Sequence, residues 1–149
     1  MKLCFRLCSG RYAPNSGKGA ALYGGRWNPV GMEAIYTAQS AALATLEVLV
    51  HFSALPTDFV LTQIEIPSGA GILKIKETSL PRGWISPASL SATRAIGEAW
   101  LRENRYLVLN VPSSVLPFER NLILNPSHPK FSNIKFSTPS PFSFDPRLK

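Results

Sequence analysis

Between Gly24 and His51 the chain reads GGRWNPVGMEAIYTAQSAALATLEVLVH. It sets an arginine behind two glycines, a tyrosine at a strand end and a lone glutamate inside an otherwise apolar helix. Arg26, Tyr36 and Glu47 read as three sides of one small-molecule site. The planar fork of an arginine suits a pyrophosphate, and adjacent glycines leave room for one. A tyrosine offers a ring face for a flat heterocycle, together with a hydroxyl. A single carboxylate opposite a ribose can stabilise an oxocarbenium-like transition state or orient the ribose hydroxyls. These parts together describe cleavage of the N-glycosidic bond of a nucleotide. Each also has a plain structural reading, as a loop cation, a packing ring or a paired acid. Glu47 resists it best, because burying a carboxylate costs several kcal/mol unless it is paired or hydrogen-bonded.

Other chemistries fit less well. Asp58 and Asp145 are the only aspartates, and the glutamates fall mostly on expected surfaces, so neither a magnesium cage nor an acid/base carboxylate pair stands out. No GxSxG nucleophile elbow is present. The Gly17, Lys18, Gly19 segment lacks the spacing and the Lys-Ser/Thr ending of a phosphate-binding Walker loop, and loop flexibility accounts for its glycines. Zinc would have to recruit His51 and His128 with no close ligand pair, so no metal site is expected. Glu47 and His51 lie one helical turn apart, a spacing that is commonly structural. His51, Trp27, Trp84 and Trp100 read as structural residues.

The elements that must position these side chains follow from periodicity. Leu3–Leu7 reads as a first strand closing on a glycine-rich loop through Gly25. Glu33–Thr37 alternates as a short strand, with Ile35 on one face and Tyr36 on the other. Ser40 is a candidate N-cap for a helix reaching His51, apolar nearly all round and therefore expected to be buried. Asp58–Ile66 and Gly71–Lys76 read as strands, and Leu80–Ser89 as a surface loop. Thr93–Asn104 reads as a helix whose Ile96, Ala99 and Trp100 cover the sheet while Arg94, Glu98, Arg102 and Glu103 face water. Tyr106–Val111 and Leu122–Leu124 complete the strands. Residues 1–137 are expected to form one domain, and 138–149, with three prolines, an irregular tail.

Composition sets the bounds. The 149 residues, 45% hydrophobic and 17% charged, suffice for one globular domain with its own core. No stretch is long and apolar enough for a bilayer span, and the first residues lack a sustained signal-peptide core, which implies a cytoplasmic protein. Cys4 and Cys8, four apart, read as reduced thiols. Sixteen basic against nine acidic residues give +7, and Lys2, Arg6, Arg11, Lys18 and Arg26 come with no intervening acid. That favours an anionic ligand or acidic partner. The cations form no block or nucleic-acid motif, so direct nucleic-acid binding is the weaker hypothesis.

The order of the motifs adds to this. The Gly24–His51 stretch, followed by IGEAWL and then VPSSVLPFERNLILNPSHPKF, resembles the RES domain, the toxin half of RES/Xre toxin–antitoxin pairs of bacteria. The likeness runs from Phe5 and Arg6 through Phe131. The family is named for an Arg, a Glu and a Ser, which fall here on Arg26, Glu47 and Ser113, with Ser114 the neighbouring alternative. Tyr36, Arg6 and Asn121 also match family positions. The resemblance implies a compact mixed α/β domain related to the ADP-ribosyltransferase fold, with NAD as substrate rather than cofactor. Relatives degrade NAD by hydrolysis or phosphorolysis, or transfer its ADP-ribose to a protein. It further implies an Xre-like DNA-binding antitoxin as partner, with homo-oligomers in the toxin–antitoxin complex an option. In this reading Arg26, aided by Arg6, grips the pyrophosphate. Tyr36 and Ser113 position the nicotinamide end, Asn121 joins the NAD site, and Glu47 favours the ribosyl transition state. The rival from another class is a basic nucleic-acid or partner-docking module without catalysis.

Overall fold

The computed structural model describes residues 1–149. Eight strands form one mixed sheet: β1 (Lys2–Ser9), β2 (Ile35–Ala38), β3 (Phe59–Ile66), β4 (Ile72–Lys74), β5 (Val108–Pro112), β6 (Arg120–Leu124), β7 (Lys135–Phe136) and β8 (Ser140–Pro141). Their order is β4-β5-β6-β2-β1-β3-β7, with β8 also on β3, and β4-β5 is the one parallel pair. Three helices accompany the sheet: α1 (Lys18–Tyr23), α2 (Ala41–His51) and α3 (Leu90–Glu103). The fold class read from the sequence, a single mixed α/β domain, is the one found. No helix is long and apolar enough to cross a membrane.

Strand alternation sorts side chains into two cores, one on each face of the sheet. Ile35 of β2 packs with Ile64, Ile66, Leu122 and Leu124, whereas Tyr36 packs against a second cluster built on Trp27, Trp84, Trp100 and Ile123. The opposed directions expected for Ile35 and Tyr36 are therefore those observed. A third cluster seats α2 on β1 through Leu43, Ala44, Val48 and Leu7, and Phe144 closes it. Cys4 lies fully buried in the first core, and Cys4 and Cys8 are both free thiols. Burial pushes the Cys4 thiol up to about 11, so it stays protonated.

Ser40 caps α2 as its sequence suggests, accepting from the Leu43 N–H. The helix is not buried all round, however. Its Leu43–Ala44–Val48 face is covered, while Leu46 and Val50 face outward, Val50 60% exposed. The glycine-rich loop also contains a helix, α1, that periodicity did not reveal. Asn28 holds it by donating from Nδ2 to the Ala20 carbonyl, and Gly31 N–H donates to Ala21. The chain from 138 to 149 carries little regular structure yet is not loose: Phe142 and Phe144 pack edge-on, and Phe144 is buried beside Phe59.

Gly97 fixes how closely α3 approaches the site. A Cβ there would overlap the Trp27 carbonyl, backbone that cannot swing aside, so only glycine lets α3 rest on the segment that follows Arg26. Gly97→Ala is expected to destabilise the protein by about 3 kcal/mol through overpacking. That amounts to roughly a 6–12 °C fall in Tm for a domain of this size, read by thermal denaturation, whereas Gly19→Ala, helical and with open space around it, is expected to leave Tm level or slightly raised.

Candidate functional site

One large cleft, about 1060 Å³, opens where β1, β2 and β6 meet α2 and the loop before β2. Arg6, Arg26, Tyr36, Glu47 and Asn121 all line it. The distant sequence segments selected for chemistry thus converge on one space. Charge in the cleft is unbalanced: Arg6, Arg11, Arg26 and Arg94 face Glu47 and Asp58, and Asp58 is already engaged by Ser9 and lies 3.8 Å from Arg11.

Glu47 is positioned by three elements. The turn from β2 into α2 brings it over the sheet, β6 supplies Asn121, and the end of β5 supplies Ser113. Ser113 Oγ donates to Glu47 Oε2 at 2.8 Å, and Asn121 Nδ2 donates to Oε1 at 3.0 Å. The direction of both bonds is forced. Ser113 Oγ also accepts from the Val115 and Leu116 N–H groups, so its one proton is left for Glu47. The second Asn121 amide proton goes to the Thr37 carbonyl. Both carboxyl oxygens are therefore acceptors, the pattern of an ionised acid. Burial works the other way and dominates, holding the Glu47 carboxyl above its usual range while Ser113, Asn121 and His51 pull it back down.

Ser113 itself is fully buried and does not line the cleft, whereas Ser114 does. The hydroxyl aimed at Glu47 belongs to Ser113, which stands behind the carboxylate, and Ser114 is the serine of the two that reaches the cleft. Asn121 does both, lining the cleft and holding Glu47.

Tyr36 is likewise committed at its tip. Its hydroxyl accepts from the Trp27 N–H at 3.0 Å and donates to Asn28 Oδ1 at 2.7 Å, fastening the GGRWN turn to β2. Gly25 is required there, because a Cβ would collide with that hydroxyl. Burial raises the phenol well above its ordinary range, so it remains neutral. The ring, not the hydroxyl, is what Tyr36 offers the cleft. Arg26 donates from Nη1 to the Trp84 carbonyl and from Nη2 to that of Ile85, with its guanidinium 5.7 Å from the Trp84 ring centroid. Its fork thus closes the wall formed by the 84–85 segment. Arg6 spends Nη1 on the Pro14 and Ser16 carbonyls and keeps Nε and Nη2 without a protein partner.

Three cleft residues were missed by sequence reasoning. Arg94 was expected to face water but reaches back to donate from Nε to the Gly25 carbonyl at 2.8 Å. Helical periodicity gives the direction of its Cα–Cβ bond and says nothing about where a long flexible stem ends. His51, expected to be structural, is exposed and lines the cleft one turn beyond Glu47. Arg11 lines it from the turn after β1.

The RES domain model matches residues 3–145, nearly the whole chain. The chain belongs to the RES domain family. It is 42% identical to a protein named Toxin Res from Yersinia enterocolitica, covering 99% of both chains. It is 38% identical to a Sphingobium protein named Prs ADP-ribosylating toxin, over 89% of this chain and 85% of the relative. A chain of the M. tuberculosis MbcT–MbcA toxin–antitoxin complex superposes with a TM-score of 0.81 at 22% identity, over 99% of this chain and 86% of that one, which shows a shared fold.

The opposed influences on Glu47 give a testable sign. Ser113 lowers the carboxyl's pKa, so Ser113→Ala is expected to shift the acid limb of a Glu47-dependent activity to higher pH. Turnover at fixed acidic pH should fall by roughly 10- to 100-fold, the range for loss of a hydrogen bond to a charged group. A pH–rate profile of wild type, Ser113→Ala and Ser114→Ala checks this, with Ser114→Ala expected to overlay wild type.

Proposed function

We propose that this RES domain cleaves the nicotinamide N-glycosidic bond of NAD and so depletes the dinucleotide. The observation that carries the reading is the Glu47 carboxylate, held with both oxygens as acceptors at the wall of a cleft rich in arginine, whose other acid, Asp58, is already engaged by Ser9. An anionic dinucleotide is attracted to that cleft as a whole, and the carboxylate meets the one part of NAD that becomes more positive during reaction.

In the proposed step the bond between the ribose C1 and the nicotinamide nitrogen breaks, and its electron pair leaves with nicotinamide, which departs neutral. The ribosyl carbon takes on oxocarbenium character, and the ionised Glu47 stabilises that charge or fixes the ribose hydroxyls. A water oxygen then bonds to C1 and releases a proton, giving ADP-ribose. Phosphate in place of water gives ADP-ribose 1″-phosphate. Ser113 and Asn121 are positioning residues, since they act through the carboxylate. The Tyr36 ring gives the nicotinamide end a flat apolar surface, and the guanidinium of Arg6, with two donor nitrogens unspent, faces the phosphates. Arg26 contributes its charge and the wall it clamps.

A second reading has its own support. A relative 38% identical is named as an ADP-ribosylating toxin, and transfer to a protein side chain uses the same bond-breaking step with a different acceptor. As a toxin, the chain is proposed to assemble with an antitoxin, as the structurally similar chain of a toxin–antitoxin complex does. The chemistry in the cleft favours catalysis over simple docking, because a docking surface needs no carboxylate held under two directed bonds.

Purified protein freed of any antitoxin is expected to release nicotinamide from NAD. Glu47→Ala should cut that release by about 1000-fold, the scale of losing transition-state charge stabilisation, with an unchanged circular dichroism spectrum. Chromatography with and without phosphate, and with labelled NAD plus lysate protein, identifies the acceptor. Full turnover by folded Glu47→Ala would exclude the mechanism.

A further inference from the structure

The sequence assigns the pyrophosphate grip to Arg26, yet each terminal nitrogen of that side chain already gives one N–H to the wall, Nη1 to the Trp84 carbonyl and Nη2 to that of Ile85, which fixes the fork against the 84–85 segment. Another guanidinium in the same cleft is better prepared. Arg94, on the first turns of α3, is tethered only through Nε to the Gly25 carbonyl, which leaves Nη1 and Nη2 without a protein partner. Neither Arg94 nor Arg6 takes part in an ion pair. A single-point tether on Nε fixes the plane of the fork while leaving the two nitrogens that make bidentate contacts available.

The paired glycines make space for it. Gly24 has φ +71°, in the left-handed region, and a Cβ there would stand 3.0 Å from Arg94 Nη2. The GG turn is thus shaped around two side chains at once, the Tyr36 hydroxyl against Gly25 and the Arg94 fork against Gly24.

We infer that Arg94 is a diphosphate-binding residue: its Nη1 and Nη2 fork receives the pyrophosphate of the substrate beside the Gly24–Gly25 turn, while Arg26 secures the 84–85 wall. The inference deepens the NAD reading and rests on it for the identity of the diphosphate, whereas the anion site itself is independent of any reaction.

Inorganic pyrophosphate, titrated calorimetrically into the intact protein, is the direct probe, with NAD and phosphate-free nicotinamide riboside as paired substrates. Arg94→Gln is expected to weaken pyrophosphate binding and raise KM for NAD by about 10- to 100-fold, the range for a hydrogen-bonded charged contact, with kcat nearly unchanged. Its effect on nicotinamide riboside should be negligible. Arg94→Lys, which keeps the charge and loses the fork, should fall between, and serves if Arg94→Gln proves unstable. Unaltered pyrophosphate affinity in either variant, or no pyrophosphate binding by wild type, overturns the inference. So does an equal loss of turnover on both substrates, the signature of a side chain that merely supports the Gly25 loop. Arg94-dependent pyrophosphate binding without nicotinamide release from NAD would uphold this site and defeat the glycosidic-cleavage reading.

Discussion

A carboxylate drawn away from water keeps its charge only where donors replace the solvent it has lost. Glu47 meets that condition through two groups whose protons have nowhere else to go: the Ser113 hydroxyl, its lone pairs taken by backbone N–H groups, and the Asn121 amide, its other proton taken by Thr37. Much of the architecture serves that arrangement. Ser113 must follow β5, Asn121 must sit on β6 beside β2, and α2 must leave β2 at once to bring Glu47 between them. The register that pairs Asn121 with both Ala38 and Val111 achieves this in three adjacent strands.

The GGRWN turn forms the opposite wall by comparable means. Tyr36 holds it from β2, Asn28 ties it to α1, and Gly97 lets α3 press against Trp27. The basic side chains nearby are held by carbonyls rather than carboxylates, so their charge is not cancelled. That leaves this wall electropositive in the cleft that Glu47 also lines, an environment suited to an anionic substrate whose reacting carbon turns cationic.

What could be read from the sequence was what neighbouring residues decide among themselves. Ser40 and the apolar spacing after it define α2, and strand alternation sends Ile35 and Tyr36 to opposite faces. Glu47 stood out because a lone acid among apolar residues needs an explanation wherever it folds. Features that depend on distant partners were hidden. Helix α1 contains two glycines at or beside its start and is held by Asn28 and Gly31. The outward face of α2 looks as apolar in sequence as its buried one, and Val50 differs from Val48 only in what the tertiary fold brings to cover it. Side-chain reach was least legible: Arg94 turns inward from a face expected to be wet, the Tyr36 hydroxyl is taken up by the scaffold, and the Arg26 fork is partly engaged by the 84–85 carbonyls.

The account turns on whether the carboxylate of Glu47 meets the reacting ribose. A crystal structure with an NAD analogue whose nicotinamide ribose ring oxygen is replaced by carbon, and which therefore cannot react, tests this most directly. The expected result places that ribose within hydrogen-bond distance of Glu47, with Ser113 and Asn121 still bound to the carboxylate and the diphosphate against the arginine wall. An analogue seated elsewhere, or one whose nicotinamide ribose lies remote from Glu47, would contradict it.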